Sequence, residues 1–168
     1  MITNRDAIKV RRARTDDAKS LASIFARTWW SAYAGIIPAM PLARMIQKRD
    51  EAWWRKSINS ESCLLVIQVS RDLAGYATCG AARSNGMRGE IFELYISPEY
   101  QGMSLGEHLF EACRYHLDQR GLRGLTVWAL SDNAGAAAFY RRCGGRPVAS
   151  CVERFGGTEV AKTAFGFA

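Results

Sequence analysis

The segment from Gly89 to Arg120 constrains the fold most, because it joins a strand, a glycine-flanked turn and a helix in quick succession. Its first part, GEIFELYIS, reads as a strand. From Leu105 onward, apolar residues recur at helical spacing while charged residues fall on the opposite side. A glycine-flanked turn that opens a helix directs unpaired backbone N–H groups, and the positive end of the helix dipole, at one spot. The segment therefore predicts a backbone site suited to pyrophosphate.

The same turn matches G-x-S-x-G, the pattern of a hydrolase nucleophile elbow, with Ser104 at its centre. An elbow needs the serine directly after a strand, with an acidic residue and then a histidine later in the chain. No histidine follows His116, and residues 98–101 separate the strand from the turn. We therefore prefer the phosphate interpretation, in which Gly102 and Gly106 permit close approach and Ser104 adds a hydroxyl donor.

The chain before this segment predicts two helices and three strands. Residues 7–14 read as a strand, residues 15–17 as a helix cap, and the helix that follows should end near Gly35. A second helix is expected from Leu42 to about Ile58. The runs CLLVIQVS and LAGYATCGAA then read as strands before GEIFELYIS, so the middle of the chain predicts an antiparallel meander.

Turns and the C-terminal third complete the predicted architecture. Turn signals stand at 70–72 and 84–86. After Arg120, LTVWAL reads as a strand, residues 133–142 as a helix, and PVASCVERF with TEVAKTAFGF as a closing hairpin around 156–157. The sum is a mixed α/β fold, with helices packed on a largely antiparallel sheet.

Composition narrows the function classes. With 168 residues and 48% hydrophobic content, the chain suits one globular domain, and no apolar run approaches the roughly 20 residues that span a bilayer. Five scattered cysteines without a C-x-x-C pair should be buried thiols, and two histidines are too few for a histidine-based metal site. The net charge of +7 is the only feature that favours nucleic-acid binding, because the basic residues do not form a stripe interleaved with aromatic residues. We expect a cytoplasmic protein with no metal and with no membrane or nucleic-acid partner.

Two segments together resemble the GNAT superfamily of N-acetyltransferases. EIFELYISPEYQGMSLGEHLF is similar to the acetyl-CoA core of that family, in which a strand, a proline-containing connection and a Q/R-x-x-G-x-G/A turn precede a helix. Gln101, Ser104 and Gly106 fall on the turn motif, with Ser104 in place of its usual first glycine. NAGAAAFYRRCGGRPV is similar to the second cofactor segment, where an asparagine opens a helix bearing a Phe-Tyr pair.

The resemblance implies a GNAT-like fold in one domain of residues 1–168, with acceptor-side helices at about 16–58 and an acetyl-CoA core at about 87–145. It implies that the backbone of 94–96 pairs with pantetheine like an added strand, with the Leu94 amide polarising the thioester carbonyl. The residues it assigns to acetyl-CoA binding are Leu94, Tyr95, Ile96, Gln101, Gly102, Met103, Ser104, Leu105, Gly106 and Asn133.

Acetyl transfer to an amine needs a base for the amine and a proton for the departing thiolate. Strand alternation predicts that Glu90 and Glu93 project from opposite faces, so only one should reach the acceptor. The resemblance favours Glu90 as the catalytic base, with Glu93 or a water chain as the alternatives. It assigns Tyr140 to protonation of the thiolate, while packing in the core beside Phe139 is the competing interpretation.

The acceptor is the least constrained part of the prediction. Trp29, Trp30 and Tyr33 either form an aromatic wall for a cationic amine or simply fill the core. We expect a small-molecule primary amine, acetylated by direct attack in a ternary complex. A protein N-terminus or lysine as acceptor, and a catalytically silent acyl-CoA-binding module, are the alternatives. Whether the chain forms a homodimer stays open.

Overall fold

The computed structural model describes residues 7–60, 63–83, 86–155 and 157–168. These residues form one seven-stranded sheet in the order β1-β2-β3-β4-β5-β7-β6. Every neighbouring pair is antiparallel except β4 and β5, which run parallel. The strands are β1 (Ile8–Arg12), β2 (Cys63–Val69), β3 (Asp72–Ala81), β4 (Gly89–Ile96), β5 (Leu125–Leu130), β6 (Arg146–Phe155) and β7 (Thr158–Phe167). The predicted α/β fold with a largely antiparallel sheet is confirmed.

Five α-helices in the described part of the chain cover the two faces of this sheet. They are α1 (Ala18–Tyr33), α2 (Ala39–Lys48), α3 (Glu51–Ile58), α4 (Leu105–Gln119) and α5 (Ala134–Arg142). One core lies between the sheet and α4 with α5, and a second, richer in aromatic rings, lies between the sheet and α1 with its neighbours α2 and α3. The predicted apolar stripe of α4 is wholly buried in the first core, which confirms its orientation. No helix within the described ranges is long and apolar enough to cross a membrane.

The predicted second helix is wrong in one respect, because it is two helices. Arg49 leaves the helical conformation after α2, with φ −101° and ψ 57°. Asp50 then caps α3, its carboxylate accepting a hydrogen bond of 2.9 Å from the Trp53 amide. Aspartate favours a cap over a helix interior because its short side chain competes for backbone amides. The break places the Arg49 side chain between two helices that both pack near α1.

The predicted cap at residues 15–17 is also corrected. Thr15–Asp17 forms a 3-10 turn that leads into α1, and no side chain caps α1 itself. The Asp17 carboxylate instead pairs with the Arg11 guanidinium at 2.8 Å and accepts a hydrogen bond of 2.7 Å from the Arg14 amide. Burial opposes ionisation of Asp17, but these hydrogen bonds outweigh it and hold the pKa of the carboxyl below its usual value. The pair ties β1 to the start of α1.

Ser84 and Asn85 of one predicted turn, and Gly156 of the closing hairpin, lie outside the described residues. Of the five cysteines predicted to be buried, three are buried, Cys143 is partly exposed, and Cys151 is exposed on β6, which is an edge strand of the sheet. An edge strand presents residues to solvent that a central strand would cover.

The parallel contact between β4 and β5 is short, and this positions the site. Pairing joins Gly89, Glu90 and Ile91 to residues 125–127, and no pairing between the two strands continues beyond Ile91 among the described residues. Both strands extend further, β4 to Ile96 and β5 to Leu130. They therefore splay apart and leave a gap in the middle of the sheet.

Candidate active site

A cavity of about 480 Å³ occupies the gap between the splayed strands. Its walls come from α1, the outer half of β4, the turn after β4, the start of α4, the end of β5 and α5. Eight of the residues predicted to bind acetyl-CoA line the cavity, and so does Tyr140, the predicted proton donor. The eight are Leu94, Tyr95, Ile96, Gln101, Gly102, Leu105, Gly106 and Asn133. Met103, Ser104 and Glu90 do not line the cavity.

The turn before α4 has the backbone shape of an anion-binding loop. Gly102 has φ +80°, and Ser104 at the helix N-cap has φ 60° and ψ 18°, in the left-handed region. No side chain caps α4, so its first amides stay directed at the mouth of the cavity. A Cβ at Gly106 would lie 3.0 Å from the Phe139 ring, so glycine is what lets α4 and α5 approach at this edge of the site.

The outer half of β4 offers backbone groups to the gap. The Ser97 amide donates to the Ala74 carbonyl of the neighbouring strand at 2.8 Å, so its N–H points toward β3. Backbone groups alternate in direction along an antiparallel strand. Those of Leu94 and Ile96 therefore point the other way, into the gap beside β5. The Gln101 side-chain amide already donates to the Ile96 carbonyl at 3.0 Å.

The two glutamates of β4 share one face of the sheet, and the prediction of opposite faces is wrong. Glu93 is opposite Thr78 of β3, and the next residue of β3, Cys79, is opposite Ile91. Phe92 therefore has no partner on β3. Such a β-bulge adds one residue and interrupts the alternation of side chains. Glu93 consequently projects from the same face as Glu90, toward α1.

Only Glu93 of these two glutamates reaches the cavity. Its Oε2 accepts a hydrogen bond of 2.8 Å from the Tyr76 hydroxyl, and its Oε1 forms an ion pair with Arg49 Nη1. Glu90 is 1% exposed and pairs with the Arg83 guanidinium at 3.0 Å. Glu90 therefore pairs with a surface arginine where β4 and β5 are still hydrogen-bonded to each other, whereas Glu93 lies where the two strands have separated.

Three phenols meet in the cavity wall. Tyr33 of α1 and Tyr95 of β4 share a hydrogen bond of 2.9 Å between their hydroxyls. The Tyr140 hydroxyl makes no hydrogen bond within the described part of the chain, although the residue is 6% exposed and lines the cavity. Burial is the main cause that raises the pKa of Tyr140 above its ordinary value, so this phenol stays protonated at neutral pH. Tyr140 both packs beside Phe139 and presents a free hydroxyl.

The side of the cavity expected to receive the acceptor contains residues that the sequence did not single out. Trp29 packs in the core against Phe25 and Tyr33, and Trp30 is 40% exposed outside the cavity, so of the three aromatics expected there only Tyr33 lines it. Phe92, Trp128, Tyr76 and Arg49 take part instead, the last two by contacting Glu93. The break between α2 and α3, marked by the Arg-Asp pair, is the one sequence signal that bears on Arg49.

Comparisons with known proteins agree with this geometry. The family model described as acetyltransferase (GNAT) matches residues 26–145. The chain is 28% identical over 136 residues to the uncharacterized N-acetyltransferase YuaI of Bacillus subtilis, covering 80% of this chain and 78% of that protein. The PaiA N-acetyltransferase of Thermoplasma acidophilum, solved with coenzyme A, has a TM-score of 0.75 at 19% identity, covering 92% of this chain and 97% of that one. YncA of Salmonella typhimurium, solved with acetyl-CoA, has a TM-score of 0.69 at 20% identity, with 96% and 93% covered.

Proposed function

This chain belongs to the acetyltransferase (GNAT) family, and we propose that it transfers an acetyl group from acetyl-CoA to a primary amine of a small molecule. The observation that carries the proposal is the cavity between the splayed strands, where a helix N-terminus, a free strand edge, a carboxylate and an unpaired phenol converge. The helices within residues 16–58 border the acceptor side, to which Tyr76 and Glu93 of the sheet also contribute, and residues 87–145 contain the cofactor side.

The cofactor side uses backbone more than side chains. The amides at the start of α4 receive the pyrophosphate, and Gly102 and Gly106 leave room for its approach. The outward backbone groups of Leu94 and Ile96 pair with the pantetheine arm, as an added strand pairs with a sheet edge. The Leu94 amide then donates to the thioester oxygen as negative charge develops there. That both structural relatives named above were solved with CoA or acetyl-CoA supports this assignment.

The acceptor side holds the base. Glu93 lines the cavity and can accept a proton from the ammonium form of the acceptor, directly or through one water. Glu90 is buried outside the cavity and forms an ion pair with Arg83. We therefore assign the base to Glu93 and give Glu90 a structural role. Tyr76 donates to the Glu93 carboxylate and fixes its orientation.

The transfer then proceeds by direct attack. The neutral amine forms a C–N bond to the acetyl carbon, and the C–S bond breaks with its electron pair on sulfur. Tyr140 gives its hydroxyl proton to the departing thiolate. The nitrogen, which is cationic once the C–N bond has formed, passes its second proton through water to the Tyr140 phenolate, while Glu93 releases the first proton to solvent. No covalent intermediate on the protein is needed, because amine and thioester meet in one cavity.

The test is an acetylation assay with purified protein, acetyl-CoA and a panel of free amines and short peptides, following both CoA release and the N-acetyl product by mass spectrometry. The proposal expects at least one free amine to be acetylated with one CoA released for each product formed. Peptide acetylation with inert free amines would instead favour a protein acceptor. Acetyl-CoA binding without any turnover would indicate a silent acyl-CoA-binding module.

A further inference from the structure

Arg49 is held beside the proposed base by aromatic rings. Its guanidinium carbon lies 4.6 Å from the ring centroids of Phe25 and Trp53, and 5.9 Å from those of Trp29 and Trp54. The guanidinium of arginine is attracted to the partially negative faces of aromatic rings, and its plane can stack on them. These contacts leave the guanidinium little freedom, although a quarter of the side chain is exposed.

The guanidinium uses only part of its hydrogen-bonding capacity. Nη1 forms an ion pair with Glu93, and neither Nε nor Nη2 donates to another group in the ranges that the structure describes. Arginine carries five N–H donors in a fixed fork, and an unused edge of that fork matches a carboxylate. Neither atom is among the described buried polar atoms without a partner, so the unused edge is open to solvent.

Glu93 lines the cavity and Arg49 contacts it from beside the lining residues, so a positive and a negative group stand in direct contact at this side of the cavity. Their contact as a pair contributes little stability by itself, because desolvation offsets much of the attraction between partly buried charges. The arrangement is instead complementary to a ligand that carries opposite charges on adjacent positions.

Resting on the proposed function, we propose that the acceptor is an α-amino acid or a close analogue. Glu93 receives its ammonium group, and the open edge of Arg49 binds its carboxylate, so that the internal ion pair is replaced by two pairs with the ligand. A plain amine or a diamine would satisfy Glu93 but would leave Arg49 facing positive charge or nothing. A protein N-terminus lacks the carboxylate beside its amine, because that group is in a peptide bond.

The test compares each member of a panel of L-amino acids with its decarboxylated amine, such as leucine with 3-methylbutylamine and phenylalanine with phenethylamine. For the preferred side chain, kcat/KM should be about 10- to 100-fold higher for the amino acid, as expected for hydrogen bonds to a charged group. Arg49→Met should bring this ratio near one by raising KM for the amino acid, and Arg49→Lys should restore part of it. Arg55→Met is the control, because Arg55 lies exposed on α3 with Glu51 and should leave the ratio unchanged.

A second readout does not need turnover. Trp53 contacts the Arg49 guanidinium, so amino acids should change the tryptophan fluorescence of the wild type and of Arg55→Met but not of Arg49→Met. Melting temperatures of the three proteins verify that each is folded. If no acceptor is acetylated but this fluorescence pattern is seen, the proposed function fails and the recognition by Arg49 stands. Equal kcat/KM for amino acids and their amines, a ratio that survives in Arg49→Met, or the absence of both turnover and binding would overturn the inference.

Discussion

The two sides of the cavity are built in different ways. On the side proposed to bind the cofactor, the groups that face the cavity belong to a strand edge, a turn and the first amides of α4, all within one stretch of the chain. On the side proposed to bind the acceptor, Glu93 of β4 meets Tyr76 of β3 and Arg49 from the break between α2 and α3. Backbone groups impose few demands on side chains, whereas the acceptor side depends on particular side chains from distant segments. Substitutions should therefore separate the two functions.

The largest expected effect is at the acceptor side. Glu93→Gln removes the proposed base, so kcat should fall by about 10³-fold while acetyl-CoA affinity measured by calorimetry stays unchanged. Glu90→Gln is the matched control on the same face of β4, and its kcat should stay within about threefold because the residue lies outside the cavity. A large loss in Glu90→Gln with normal rates in Glu93→Gln would reverse the assignment.

The next largest effect is expected at Tyr140, which lies where the two sides of the cavity meet and is proposed to protonate the departing thiolate. Tyr140→Phe keeps the ring in its packed position and removes only the hydroxyl, so kcat should fall by about 10²-fold with acetyl-CoA affinity retained. Tyr115→Phe, on the exposed side of α4, serves as the control and should behave as the wild type. Unchanged turnover in Tyr140→Phe would leave this residue with a packing role alone.

A smaller effect concerns the turn of the cofactor side. Ser104 and Ser70 are the two described residues other than glycine with positive φ, at 60° and 55°. Glycine adopts this region without the cost of a Cβ, so each serine-to-glycine change should stabilise the protein by about 0.5–1 kcal/mol in chemical denaturation. Ser104→Gly should also tighten acetyl-CoA binding slightly, while Ser70→Gly, in the β2–β3 turn, should not. Equal affinity changes in both variants would remove the turn from the cofactor site.

The smallest effect on activity is expected outside the site, at the start of α1, where the change concerns stability alone. Because the folded pKa of Asp17 is lowered, its contribution to stability is present above the unfolded pKa and is lost as pH falls through the folded value. Arg11→Met should therefore destabilise the protein by about 1 kcal/mol at pH 7 and reduce the stability lost on acidification. Urea denaturation between pH 7 and pH 3 measures both. The same stability loss at all pH values would show that packing, and not the ion pair, is what Arg11 provides.

The contrast between the two sides also explains what the sequence could predict. The strand, turn and helix from Gly89 to Gln119 have local signals, and the helix after Asn133 begins at a recognisable cap, so both were placed correctly. The sequence does not predict the face of the sheet from which Glu93 projects, because the bulge at Phe92 arises from the pairing of β4 with β3 and leaves no signal in β4 alone. Arg49 was missed because its role depends on four rings from two other helices.

Calorimetric titration of acetyl-CoA into the purified protein tests the central claim most directly, since the whole mechanism needs the cofactor between the splayed strands. We expect one acetyl-CoA binding site in the wild type. In Gly106→Val the affinity should be weakened by about tenfold or more, because the added side chain meets the Phe139 ring where α4 and α5 approach, and melting temperatures verify the fold. No binding by the wild type, or equal affinity in Gly106→Val, would contradict cofactor binding between the splayed strands.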